Sequence, residues 1–317
     1  MAITGILPPA KTRCRWTSPA TPHNGNPNAR QIVAQSVKVS RRQVLAWGAV
    51  GGASLVGLDA IAYEPRAIRF QALEYPVRGL GRAFDGYRVA FVTDVHYPRH
   101  ITRPFIKKCV DTALEFCPDL LLYGGDFVDG HDLLGVGKNN APSLAGMFEG
   151  TAPDGVFGVL GNHDWWLNGE STRAEIERCT PIRLLENDHA LIRRGNDALA
   201  LGGLEDLWCR HPNLTSALGT VDPEIPRLLL SHNPDVAERC AGAARVDLQL
   251  SGHTHGGEVR LPFYGPLRIP SRYGRKFERG LVEGALHPVY VSVGVASPRA
   301  VRFNCRPEVT GITLRCA

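Results

Sequence analysis

The sequence predicts an α/β protein with much parallel or mixed sheet. Three observations carry that expectation. Short apolar runs rich in β-branched and aromatic residues alternate with stretches of helical spacing. Five of those runs end in clusters of acids, amides or imidazoles, and in open α/β sheets ligands bind at the carboxyl ends of strands. The chain has 317 residues with 44% hydrophobic and 21% charged side chains, which suits a folded globular protein with ample core and excludes a disordered or fibrous one.

The elements follow in order. Tyr87–Thr93 (YRVAFVT) reads as a strand and leads into Asp94-Val95-His96. Pro104–Phe116 has helical spacing through Phe105, Cys109, Val110, Ala113 and Leu114, and Pro118 stops it. Asp119–Tyr123 is a second buried strand ending at Gly124-Gly125-Asp126. A helix is expected near Ser143–Phe148, after which Val156–Leu160 runs into Gly161-Asn162-His163-Asp164. Ser171–Cys179 is expected as another helix, with Ser171 as its cap. Strands are expected around Ile182–Leu185, Ala190–Arg193 and Ala198–Leu201. Arg227–Leu230 ends at Ser231-His232, and Val246–Leu250 ends at Gly252-His253-Thr254-His255-Gly256-Gly257. Val289–Val293 and Gly311–Arg315 close the chain as strands. With no internal repeat and no clear linker, residues 63–317 read as one catalytic domain.

The formal net charge of +5 is unevenly placed. Residues 1–58 hold seven basic side chains and no acidic one, while the remaining 259 residues hold 29 basic and 31 acidic. The basic excess belongs to the leader, so the body gives no reason to expect a nucleic-acid partner. Residues 1–40 are a polar extension, followed by Ser40-Arg41-Arg42-Gln43-Val44-Leu45, a Gly-rich apolar stretch to Leu58, and the small-residue site Ala60-Ile61-Ala62. That succession reads as an export signal over residues 1–62, of the twin-arginine type, and places the body in the periplasm or cell envelope. An uncleaved signal would instead remain as a membrane anchor. No apolar run reaches the roughly 18 residues that span a bilayer, which excludes a polytopic membrane protein. None of the eight cysteines forms a Cys-x-x-Cys pair, which argues against a zinc ribbon or thioredoxin-type site.

The strand-end clusters carry the chemistry. In Asp94-x-His96 the carboxylate and imidazole alternate along an extended backbone and can reach one ion. Asp126 follows glycines that let backbone approach closely. Asn162 brings an amide oxygen, with His163 and Asp164 beside it, and His232 follows a four-residue apolar strand. Gly252-His253-Thr254-His255-Gly256-Gly257 is the most specific pattern, two alternating imidazoles framed by glycines. Each alone has a bland reading as a turn or a packed histidine. Five of the eleven histidines nevertheless fall in these clusters, and that concentration points to a metal site.

The ordered set Asp-x-His, Gly-Gly-Asp, Gly-Asn-His-Asp, His, Gly-His-x-His resembles the calcineurin-like metallophosphoesterase superfamily over about residues 88–305. Gly-His-Thr-His-Gly-Gly-Glu and the ending from Val291-Ser292-Val293-Gly294 to Pro307-Glu308 resemble its exported bacterial envelope branch. The resemblance implies a two-sheet β-sandwich of mixed strands flanked by helices, with metals at the strand carboxyl ends. It implies a first metal on Asp94, His96, Asp126 and His255, and a second on Asp126, Asn162, His232 and His253. Two divalent ions, Mn, Fe or Zn, suit such mixed oxygen and imidazole donors, and a hydroxide bridging them would attack the phosphorus. His163, oriented by Asp164, would stabilise the transition state or protonate the leaving oxygen.

The expected function is therefore hydrolysis of phosphodiester or pyrophosphate bonds in a phosphorylated small molecule or lipid-linked envelope substrate. Peripheral membrane contact and passage through the twin-arginine export machinery go with that expectation. A metal-dependent phosphomonoesterase and a non-catalytic metal-binding envelope module are the alternatives. Trp165-Trp166 could stack on a base, lie against a lipid tail or simply pack. His131 and Arg99 are further candidate substrate contacts. The basic run Arg272, Arg275, Lys276 and Arg279 could meet a phosphate or an anionic headgroup, with a solvated face as the simpler reading.

Overall fold

A computed structural model describes residues 40–130, 141–242 and 244–317. His131 lies outside them, as does most of the polar extension. The chain divides into two compact units, Met1–Gly48 and Ala49–Ala317. Of the first, residues 41–48 are helical and begin α1 (Arg41–Leu58). No helix among the described residues is long and apolar enough to cross a membrane.

The second unit contains β1 (Arg69–Val77), β2 (Arg88–Val92), α2 (Arg103–Glu115), β3 (Leu120–Tyr123), β4 (Val156–Gly158), α3 (Asn162–Cys179) and β5 (Arg183–Leu184). It continues with β6 (Asp188–Arg194), β7 (Asp197–Gly203), α4 (Leu214–Leu218), β8 (Arg227–Leu230), α5 (Val236–Arg239) and β9 (Leu248–Ser251). The last elements are β10 (Arg260–Leu261), β11 (Gly265–Pro266), β12 (Gly280–Glu283), β13 (Pro288–Val291) and β14 (Glu308–Cys316). The first sheet has the order β1-β14-β2-β3-β4-β5, parallel throughout except for the β14–β2 pair. The second has the order β12-β13-β9-β8-β7-β6, with four parallel central strands and an antiparallel strand at each edge. β10 and β11 form a separate antiparallel ribbon.

Strand alternation explains how the layers stack. In β2, Val89 and Phe91 belong to a core shared with Leu228 and Leu230 of β8 and Leu248 and Leu250 of β9, between the two sheets. Ala90 and Val92 face the other way and pack with Ile106, Cys109 and Val110 of α2 and Ile176 of α3. On the outside of the second sheet, Ala200 and Leu229 pack with Leu214 and Leu218 of α4 and Val236 of α5. Strands buried on both faces read as continuous apolar runs rather than alternating ones, which is why their sequences are so uniformly hydrophobic. Each such side chain fully buried contributes about 1.5–3 kcal/mol relative to exposure.

Two expectations differ from the structure. Residues 143–148 form turns instead of a helix: Gly146 sits at φ 75°, and Leu144, Met147 and Phe148 are buried through bends. The helix expected from Ser171 is the second of two helical segments in α3, which breaks at Asn168 (φ −176°, ψ 99°). Asn168, whose Oδ1 accepts from Ser171 N at 3.0 Å, stands at its start in place of the Ser171 cap. The seven cysteines among the described residues are free thiols.

Contacts of the second unit reach back to its first residues. Ala60 is buried and its carbonyl accepts a hydrogen bond from Arg302 N at 2.9 Å, while Glu64 Oε2 accepts from Asn304 N at 2.9 Å.

Candidate metal centre

The carboxyl ends of β2, β3, β4, β8 and β9 meet along one edge of the sandwich. They bring together Asp94, His96, Asp126, Asn162, His232, His253 and His255, all buried. The backbone turns sharply at each strand end. Asp94, His96, Asp126, His253 and His255 have φ values of 58°, 50°, 54°, 69° and 51°, in the left-handed region that non-glycine residues seldom occupy. Such strain persists only where surrounding structure imposes it, and it gathers at functional sites. Two glycines allow the close approach. A Cβ on Gly252 would lie 2.1 Å from Asp94 Oδ2, and one on Gly161 would lie 2.2 Å from Asp126 Oδ1.

One donor group consists of Asp94, His96, Asp126 and His255, whose ligand atoms lie within 4.8 Å of one another. His96 Nε2 and His255 Nε2 face each other at 3.2 Å, and His255 Nε2 is 3.5 Å from Asp94 Oδ1. A second group faces it. His232 Nε2 lies 3.1 Å from Asp126 Oδ2 and 3.3 Å from His253 Nδ1. The buried Oδ1 of Asn162 has no hydrogen-bond partner among the described residues. Asp126 Oδ2 stands between the groups, 3.5 Å from His96 Nε2 and 3.1 Å from His232 Nε2.

Backbone contacts set the histidine tautomers. His232 Nδ1 donates to Gly124 O at 2.8 Å and His255 Nδ1 donates to Ala296 O at 3.1 Å, which directs both Nε2 atoms inward. The fully buried Arg302 organises the loop behind the latter contact, donating to Val293 O at 2.9 Å, Cys305 O at 3.0 Å and Ala296 O. Burial holds His96 and His253 well below the ordinary imidazole range, so both stay neutral and ligand-competent. Burial would also lower His232, but the adjoining Asp126 carboxylate outweighs it and raises the imidazole to about 10. Burial alone would raise Asp126, yet His232, His163 and His96 hold it well below the usual carboxylate range. Facing imidazole nitrogens, two carboxylates and an unpartnered amide oxygen are a donor set that fits two divalent cations.

The surroundings of His163 correct one expectation. Asp164 does not orient it: at the start of α3 its carboxylate turns back to accept from Gly161 N at 2.8 Å and Val128 N at 3.0 Å. His163 Nδ1 instead faces Asp129 Oδ1 at 3.3 Å, and Arg99 Nη1 donates to Asp129 Oδ2 at 3.3 Å. Burial opposes protonation of His163, but Asp126 and Asp129 together raise its pKa. Asp129 was legible only as an acid three residues after Asp126.

A cavity of about 610 Å³ opens over the centre. Trp166 and Trp208, both nearly half exposed, line one side with ring centroids 6.2 Å apart. Trp208 stands edge-on to His253 at 4.3 Å, on a turn whose N–H groups at Trp208 and Cys209 both donate to Asp206 Oδ2 at 2.8 Å. Trp165 points away from the cavity into the helix-side core, below the guanidinium of Arg210. Arg268 and Arg299 line the His255 side, with Arg299 bound to Glu258 at 3.0 Å. Arg99 also reaches the cavity, whereas Arg272, Arg275, Lys276 and Arg279 are not among its lining residues.

Comparison with known proteins adds an independent line. The family described as Calcineurin-like phosphoesterase matches residues 87–257. The chain is 29% identical over 288 residues to the Uncharacterized metallophosphoesterase YkuE of Bacillus subtilis, covering 88% of this chain and 98% of that protein. It is 32% identical over 235 residues to Phosphodiesterase YaeI of Escherichia coli, covering 72% and 82% respectively. It is 25% identical over 311 residues to UDP-2,3-diacylglucosamine pyrophosphatase LpxG of Chlamydia trachomatis, covering 80% and 90%.

Proposed function

This chain belongs to the calcineurin-like phosphoesterase family and is a phosphoric ester hydrolase; from that premise we propose that it cleaves phosphodiester or pyrophosphate bonds in a cell-envelope or lipid-linked substrate. The observation that carries this reading is the two-sided cavity. Trp208 stands beside His253 and Trp166 beside His163, with the guanidinium groups of Arg268 and Arg299 on the His255 side, so a phosphorus at the centre has room for a substituent in each direction. The names of YaeI, a phosphodiesterase, and LpxG, a UDP-2,3-diacylglucosamine pyrophosphatase, agree with it.

Asp94, His96, Asp126 and His255 would hold one divalent ion, and Asp126, Asn162, His232 and His253 the second, with manganese, iron or zinc as candidates. When bound, such a pair supplies a water of lowered pKa and positive charge against the phosphoryl oxygens. His163, held by Asp129, lines the cavity and delivers a proton to the leaving oxygen. Arg99 fixes the far oxygen of Asp129 and so the angle of that imidazole. Asp164 caps α3 and keeps Asn162 and His163 in place. Residues 1–62 are read as a twin-arginine export signal, which places the enzyme in the periplasm or cell envelope, at the membrane if the signal is retained.

The test uses protein recovered from the exported fraction, supplied with Mn²⁺ and assayed on bis(4-nitrophenyl) phosphate and on 4-nitrophenyl phosphate. The diester is expected to turn over faster. Faster monoester turnover would make it a phosphomonoesterase, and hydrolysis of neither would favour a non-catalytic metal-binding module. Absence from the exported fraction would remove the location.

A further inference from the structure

The β10–β11 ribbon carries an apolar tip that nothing in the described chain covers. Phe263 projects fully into solvent, and Leu261, Tyr264 and Leu267 are 42%, 57% and 57% exposed. Water-exposed apolar side chains gathered on one turn mark an interaction site rather than ordinary surface scatter.

Charge is concentrated at the same place. Residues 260–279 hold six basic side chains and one acidic, whereas the rest of the chain from residue 59 onward holds 23 basic and 30 acidic. Arg268, Arg272 and Arg279 are exposed and form no ion pair among the described residues. Arg275 lies over the Tyr264 ring at 4.5 Å and its Nη2 donates to Pro266 O at 3.4 Å, which braces the tip.

The ribbon is also part of the cavity mouth. Arg268, two residues past β11, lines the cavity. Gly257, two residues past His255, packs so closely on the ribbon that a Cβ there would lie 2.5 Å from Pro266 and 2.7 Å from Arg268 O. Asn304 Nδ2 donates to Arg260 O at 3.0 Å while its backbone N donates to Glu64, so the ribbon adjoins the segment bearing the exposed Ile61 and Tyr63.

We propose that the β10–β11 ribbon is a membrane-docking device: Phe263, Leu267 and their neighbours enter the interfacial layer of a bilayer while the surrounding arginines meet anionic headgroups. The tip is a short ribbon with two paired residues on each strand, and its exposed aromatic and aliphatic side chains stand directly beside arginines that form no ion pair among the described residues. It suits shallow insertion, where apolar contact and attraction to anionic lipid add together. Docked in this way, the cavity mouth faces the plane in which lipid-linked phosphates lie. The proposal rests on the lipid-linked reading of the substrate and gives it a route of access.

The test compares the full chain with its Phe263→Ser/Leu267→Ser double variant. Co-sedimentation is measured with vesicles of phosphatidylethanolamine and phosphatidylglycerol and with vesicles of phosphatidylcholine, and hydrogen exchange is followed by mass spectrometry. Wild type is expected to prefer the anionic vesicles, with slowed exchange at residues 260–268, and the variant to bind them at least about tenfold more weakly. Bis(4-nitrophenyl) phosphate turnover should be the same in both proteins, so a failure of docking and a failure of the hydrolase reading are told apart. Equal sedimentation of the two proteins, or unchanged exchange at 260–268, overturns the proposal. So does protection of that stretch before vesicles are added, which would show a protein surface covering it.

Discussion

The two sheets bring different chemistry to the edge where they meet. Strand ends of the first sheet contribute Asp94, His96, Asp126 and Asn162, three oxygen donors and one imidazole. Those of the second contribute His232, His253 and His255, imidazoles alone. Each donor group draws on both: His255 meets Asp94 and His96 in one, and His232 and His253 meet Asp126 in the other. Neither sheet supplies a complete donor group by itself. The apolar packing of Phe91 and Leu122 against Leu230 and Leu250 is therefore a precondition of the metal chemistry as well as of stability.

The severest way to break this comparison is to remove the residue that faces both imidazole sets. Asp126→Ala is expected to lower bound metal from two per chain to at most one and to cut turnover by about a thousandfold or more. Two tightly bound metals in that variant, measured by elemental analysis, would show that the two donor groups do not depend on a shared carboxylate.

A second change sharpens the assignment within the first sheet. Asp129→Asn should slow turnover by about 10- to 100-fold with both metals retained, since it loosens the partner of His163. Asp164→Asn should cost about 1 kcal/mol of stability through the weakened cap, with turnover of the folded protein little changed. Comparable activity losses in the two variants would dissolve the distinction between them.

The second sheet offers a test that reads stability alone. Buried His287 bonds Gln249 of β9 at 2.7 Å, and burial lowers its pKa to about 4. Between pH 4 and the ordinary value of 6.5 the unfolded chain takes up a proton that the folded chain refuses. Stability should therefore be lost on acidification through that window, by up to about 3 kcal/mol. His287→Gln keeps a donor toward Gln249 and should flatten this part of the melting-temperature profile. An unchanged profile would place the acid sensitivity elsewhere.

What the sequence made legible is the part of the molecule governed by local pattern. Apolar runs buried on both faces announced β2, β3, β8 and β9, and the polar clusters after them announced the residues that converge. Two kinds of feature escaped. β1 alternates exposed and half-buried residues and is fixed by its long parallel pairing with β14, a partner more than 230 residues away that no local window contains. The partner of His163 escaped for a geometric reason: adjacency suggested Asp164, but the first turn of a helix directs that carboxylate to its own N-terminus. Conversely, Leu144, Met147 and Phe148 had helical spacing without forming a helix, because burial along turns can mimic that period over six residues.

Five of the converging residues sit in left-handed backbone, a conformation that costs each of them roughly 1–2 kcal/mol relative to ordinary φ. The catalytic edge is thus under tension, held by the packed layers on either side. Substituting glycine at those positions would relax the chain while abolishing ligation. A search for hardier variants that scored melting temperature alone would therefore drift toward stable, inert proteins, so the assay that guides it must read turnover as well.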